Sequence, residues 1–222
     1  MATAGIYDYM VNIKFNATEF VAIAKDSINY EFPEPRARQW MANHWDFAVQ
    51  MCGYYFMFIV LLQFFMRKRE PFNLTAPMFF WNASLAAFSA LGALVLAPDF
   101  FGTLFQKGFH ASHCSMERYK MGTNGFVVWI MAISKLTELG DTVFLVRLLL
   151  KSLTEGQFEI LRKKPLMFLH WYHHILTAIY AFLTYPNVDC QSLSMESLLL
   201  QDSAFNRWGV YINCCVHAAM YS

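Results

Sequence analysis

Four apolar segments, each close to the length of a bilayer crossing, constrain this chain more than any other feature. They cover approximately residues 45–66, 76–97, 125–146 and 165–185, and a helix needs about 20 mostly apolar residues to cross the hydrocarbon core. Backbone polar groups in lipid must be satisfied inside the segment, so crossings of this kind are helices. The sequence therefore predicts an all-α, polytopic membrane protein. A fifth apolar segment starts near Trp208 and meets the last residue, Ser222, after about 15 residues without a polar stop. It reads as the start of a fifth span, and the chain as a C-terminally truncated piece of a longer protein.

Composition agrees. Charged residues make up 15% of the chain and hydrophobic ones 57%, whereas ordinary soluble domains are about 25% charged. A net charge of +1 gives no footprint for nucleic acid, and the lipid bilayer is the expected environment. Residues 1–39 lack the basic-then-apolar pattern of a signal peptide and read as a leader, with Pro33 and Pro35 marking an extended approach over residues 26–38. Residues 40–222 form the transmembrane domain. Arg67, Lys68 and Arg69 follow the first span, and Arg147, Lys151, Arg162, Lys163 and Lys164 follow the third. The second connection holds only Lys107, Arg118 and Lys120, and residues 186–206 hold no Lys or Arg. The first and third connections are then cytosolic and the N-terminus is lumenal. That makes Asn16-Ala17-Thr18 a usable glycosylation sequon. Of five cysteines, Cys114 and Cys190 fall in lumenal connections where a pair is possible. Cys52, Cys214 and Cys215 read as packing residues.

Chemistry concentrates on three segments. Lys135, Glu138 and Asp141 recur every three residues, with Thr142 beside them. Ionisable groups in a span are costly and must pair or face a cavity. They read either as a structural Lys135–Glu138 ion pair or as one wall of a buried site. His170, His173 and His174 stand at i, i+3 and i+4, on one helix face, with Trp171 and Tyr172 between them. The last segment carries Asn213 and His217 at i and i+4, with Tyr221 four further on. Under the expected topology all three clusters reach a similar depth in the cytosolic half, leaving the lumenal half for an apolar chain. Neutral imidazole serves as nucleophile toward a thioester or as general base. Asp141 is suited to orient a ring and Asn213 to donate to an oxyanion. His-x-x-His-His also suits membrane di-iron desaturases and hydroxylases, which need around eight histidines. This chain has seven, two of them (His110 and His113) expected on the opposite side.

Lys135-Leu-Thr-Glu138-Leu-Gly-Asp141-Thr142, His170-Trp-Tyr-His173-His174 and His217-Ala-Ala-Met220-Tyr221, in that order, resemble the signatures of the fatty-acid elongase family, the very-long-chain 3-oxoacyl-CoA synthases. Arg69-Glu70-Pro71-Phe72 resembles the family's basic turn after the first span, and the second signature is most similar to the branch acting on saturated and monounsaturated acyl-CoAs. The resemblance implies a multi-pass protein of the endoplasmic reticulum membrane, here about five helices of a seven-helix fold around an acyl tunnel. It implies condensation of acyl-CoA with malonyl-CoA to 3-oxoacyl-CoA, CO2 and CoA, with no metal or bound organic cofactor. A 3-ketoacyl-CoA reductase, a 3-hydroxyacyl-CoA dehydratase and an enoyl-CoA reductase are the implied partners. On this reading His173 is the nucleophile, and His170, His174, Asn213 and His217 move protons or stabilise the enolate. Glu138 and Asp141 position the histidines, and Lys135 balances charge or meets a CoA or malonyl group. Thr142, Tyr172 and Tyr221 line the substrate. Relative to the family the chain lacks the last two helices, and residues 190–201 look long. An inactive truncated isoform is therefore an alternative alongside the di-iron enzyme.

Overall fold

A computed structural model describes residues 15–29, 31–66, 75–114, 119–141, 164–186 and 207–221. Thr142, the basic runs 67–69 and 147–163, the Arg69–Phe72 turn, Cys190 and residues 190–201 lie outside the described residues, as do the side chains of His110, His113, Cys114 and His170. Among the described residues there are seven helices and no strand: α1 (Ala17–Asn29), α2 (Glu34–Asn43), α3 (Trp45–Met66), α4 (Thr75–Cys114), α5 (Gly122–Glu138), α6 (Lys164–Thr184) and α7 (Arg207–Tyr221).

The segment expected to run extended from Asp26 to Arg38 is instead helical on both sides of a short break. Asn16 caps α1, its side-chain oxygen accepting the Glu19 N–H at 3.0 Å. Pro35 falls in the first turn of α2, where a proline's missing N–H leaves no helical bond unmade. The prolines thus start a helix. Arg36 then forks to Glu19 at 2.9 Å and Asp26 at 2.6 Å, tying α2 to α1 on the exposed side. On the inner side Phe20, Phe32 and Trp40 surround the fully buried Trp129 of α5, with ring centroids 5.1, 6.1 and 5.9 Å away. His44, between α2 and α3, donates from Nδ1 to the Trp40 carbonyl at 2.6 Å and accepts the Asn16 N–H on Nε2 at 3.0 Å. Both ring nitrogens of one imidazole therefore hold the start of α1 to the end of α2.

The first predicted span and α3 coincide at Trp45–Met66. The second is longer than expected: α4 runs through Pro98 and breaks only at Gly108, whose φ of +84° suits a residue without Cβ. Within it, Ala76–Phe109 is long and apolar enough to cross a membrane, and Trp45–Leu61 of α3 is a shorter apolar stretch. In the third, helix α5 runs to Glu138, the Gly140 N–H closes a turn onto the Thr137 carbonyl at 2.9 Å, and Asp141, the last residue described there, is again helical.

Helix α7 packs along α4, α6 lies against both α3 and α5, and α1 and α2 cover the start of α5. Midway along α4, a Cβ at Gly92 would sit 2.3 Å from Met131 Cε of α5 and 3.3 Å from Cys214 Sγ of α7, so the bare glycine makes room for both side chains. Cys214 is fully buried with Sγ 3.7 Å from Met131 Sδ, a packing position as expected. At one end of this pair Arg207 meets Asp99 at 2.6 Å and the Ser112 carbonyl at 3.0 Å, while the Trp208 indole N–H donates to Ser112 Oγ at 2.8 Å. At the other end lie the polar residues singled out from the sequence.

Candidate functional site

Glu138 is the hub. It sits in the last turn of α5, one turn beyond Lys135, and Lys135 Nζ approaches Glu138 Oε1 at 2.6 Å. The same ammonium donates to Asn213 Oδ1 of α7 at 2.6 Å. Lysine has only donors, so the amide must turn its oxygen to Lys135, which leaves the Asn213 NH2 directed elsewhere as a donor. Ser134 Oγ lies 3.5 Å from Glu138 Oε1. His217, one turn after Asn213, places Nδ1 3.7 Å from Glu138 Oε1. His174 of α6 places Nδ1 3.7 Å from Glu138 Oε2 and Nε2 3.9 Å from Asp141 Oδ2. Lys135, Glu138, Asp141, His174 and His217 are all buried, the most exposed of them at 7%. Two carboxylates, one ammonium and two imidazoles thus share one buried cluster.

Asp141 has its own pair of donors. Trp81 Nε1–H of α4 donates to Oδ1 at 2.5 Å, and the Tyr221 hydroxyl of α7 donates to Oδ2. The Tyr221 ring also stands edge-on to His217, centroids 5.4 Å apart.

Adjacent histidines on α6 have different surroundings. Successive helical residues point about 100° apart, so with His174 turned inward to the carboxylates, His173 is exposed at the rim, its ring centroid 5.8 Å from that of His174. The shared face expected for the histidines therefore splits into a buried ring and an accessible one. Tyr172 is exposed and stands edge-on to Trp171, centroids 6.2 Å apart.

The structure thus brings Lys135, Glu138, Asp141, His174, Asn213, His217 and Tyr221 into one contiguous network, with His173 at its edge. Two members escaped the sequence reading. Trp81 sits in the aromatic run Phe79-Phe80-Trp81, which reads as lipid-facing, and Ser134 gives no pattern of its own. Nothing local marks Trp81, which is 60 residues from its partner.

Comparison with known proteins bears on what such a network does. Residues 40–222 match the family model described as ELO: GNS1/SUR4 family. Over all 222 residues the chain is 41% identical to Long chain fatty acid elongase 1 of Caenorhabditis elegans, covering 67% of that protein. It is 35% identical over 214 residues, 96% of its length, to Very long chain fatty acid elongase 6 of Drosophila melanogaster, covering 58% of it. It is 37% identical over 168 residues, 75% of its length, to Long chain fatty acid elongase 2 of Caenorhabditis elegans, covering 51%. The chain spans roughly half to two thirds of the length of these curated relatives. No solved structure matches it.

Proposed function

Because the chain belongs to the ELO (GNS1/SUR4) family, we propose that it performs the condensing step of fatty acid elongation, as a very-long-chain 3-oxoacyl-CoA synthase joining a long-chain acyl-CoA to malonyl-CoA. It does so as a multi-pass protein of the endoplasmic reticulum membrane, with α3 to α7 as crossings and the site toward the cytosol. A 3-ketoacyl-CoA reductase, a 3-hydroxyacyl-CoA dehydratase and an enoyl-CoA reductase then act on the product. The observation that carries this reading is the pairing of an accessible imidazole, His173, with a buried network holding Lys135, Glu138, Asp141, His174, Asn213 and His217.

A ring nitrogen of His173 attacks the acyl thioester. The C–S bond breaks, and the CoA thiolate takes the proton released from the imidazole, leaving a neutral acyl-imidazole. Malonyl-CoA then loses CO2, and the electron pair of the broken C–C bond becomes the enolate of acetyl-CoA. That carbon attacks the acyl group, the acyl–nitrogen bond breaks, and the departing imidazole takes up one proton. The overall reaction consumes that proton, which the His174–Glu138–His217 group is placed to hold and return. The free NH2 of Asn213 donates to the oxyanion or enolate. No metal or organic cofactor enters these steps.

The test is incorporation of radiolabelled malonyl-CoA into palmitoyl-CoA by microsomes expressing the protein, beside His173→Ala, together with the half-reaction lacking malonyl-CoA. The expected result is stoichiometric CoA release and an acyl adduct by mass spectrometry, both lost in His173→Ala. An adduct that persists in the variant overturns the nucleophile, and product that requires iron and oxygen overturns the condensation.

A further inference from the structure

Asp141 is held by two neutral donors. Glu138 faces the ammonium of Lys135, whereas Asp141 is gripped by an indole N–H on one oxygen and a phenol on the other. Hydrogen bonds to a charged acceptor are strong and directional. One grip comes from α4 and the other from α7, so the carboxylate plane is set by two helices that do not carry it. The oxygen shared with Tyr221 is the one that faces His174 Nε2 at 3.9 Å.

The turn before Asp141 is shaped to the same indole. A Cβ at Gly140 would lie 3.0 Å from Trp81 Cζ2, 3.2 Å from Cη2 and 3.1 Å from the Thr137 carbonyl. Contacts this tight against an aromatic ring and a backbone oxygen leave little room to relax. The missing side chain at 140 is what lets the indole lie against the turn and reach Asp141.

We infer that Trp81, seated on Gly140, is a positioning residue that with Tyr221 aims the Asp141 carboxylate at His174 and so holds that ring for proton transfer. This rests on the condensation reading above. Trp81 touches no reacting atom; it acts through Asp141.

The experiment compares wild type, Trp81→Phe, Gly140→Ala and the double variant, normalised to folded protein by gel filtration. Trp81→Phe keeps an aromatic ring and removes the N–H; Gly140→Ala keeps the N–H and displaces the indole. The expected result is a fall in condensation kcat of about 10- to 100-fold at unchanged KM for palmitoyl-CoA, since small misplacements at a reacting centre cost this much. The two single variants give the same loss, and the double variant loses no more than either, because both break one contact. Full kcat in Trp81→Phe, a loss confined to KM, or losses that multiply overturns the inference. A second readout does not depend on turnover: the melting temperatures of Trp81→Phe, Asp141→Asn and their combination. Non-additive shifts support the clamp, and additive ones overturn it. A wild type that releases no CoA overturns the condensation reading, and the melting cycle then decides the clamp separately.

Discussion

Arg207 and Asp99 meet at 2.6 Å at the opposite end of the α4–α7 pair from the Glu138 network, and Arg207 is only 2% exposed. Removing one partner of a buried pair leaves an uncompensated charge and costs about 3–5 kcal/mol, whereas replacing both with apolar residues is often neutral. Asp99→Ala therefore lowers the melting temperature and folded yield in detergent sharply. The double variant Asp99→Leu/Arg207→Met recovers most of both. Fluorescence-detected gel filtration after heating reads the outcome.

Gly125 is packed more tightly than Gly92 or Gly140. A Cβ there would fall 2.1 Å from the Lys120 carbonyl oxygen, which is backbone, and 2.6 Å from Phe32. Neither can swing aside as a flexible chain end could. Gly125→Ala separates the start of α5 from the 119–121 turn and from Phe32 just ahead of α2, with a loss of about 1–3 kcal/mol as for other overpacked sites. Gly53, with nothing within 4 Å of a Cβ, tolerates the same change. Parallel thermal melts of the two variants check the contrast.

Lys135 fixes which end of the Asn213 amide is available. Asn213→Asp keeps an acceptor for the ammonium but removes the NH2, so the protein folds and turnover falls by about 10²-fold if that group stabilises the oxyanion. Asn213→Leu leaves Lys135 without that acceptor and lowers stability as well. Condensation rate and melting temperature, measured on the same preparations, separate the two effects.

Tyr119 predicts an alkaline sensitivity. It is 1% exposed in the turn before α5, with Arg207 5.0 Å from its ring centroid. Burial holds its phenol well above the usual range. Below about pH 10 the phenol is neutral in folded and unfolded chains alike, and its contribution is fully present. Above that, the unfolded chain releases the proton first, so stability falls as pH rises. Melting temperature should decline more steeply between about pH 9 and 11 in wild type than in Tyr119→Phe. Equal slopes would show that Tyr119 does not ionise on unfolding.

The spacing of Lys135 and Glu138 was readable as a helical contact because i and i+3 are neighbours on any helix. The third and fifth spans are expected to run in the same direction, which puts Asn213 and His217 at a depth similar to that of the pair. Two local details did not follow. A strict three-residue repeat puts Asp141 on the same helix, yet a turn at residues 139–140 separates it from α5. Pro33 and Pro35 looked like an extended approach, yet a proline in the first turn is also how helices begin, and only the packing of Phe32 and Trp40 on Trp129 decided between the two.

By itself the sequence determined the all-helical class, the apolar segments and the polar residues carried on them, because transfer free energy and helical periodicity are local properties summed over a few turns. Tertiary structure decided which imidazole is buried and which is accessible, and that Trp81 and Tyr221 hold Asp141. Those outcomes depend on the approach of helices 60 to 80 residues apart in the chain. No local pattern encodes that approach, since a tryptophan facing lipid and one facing a carboxylate look the same in sequence.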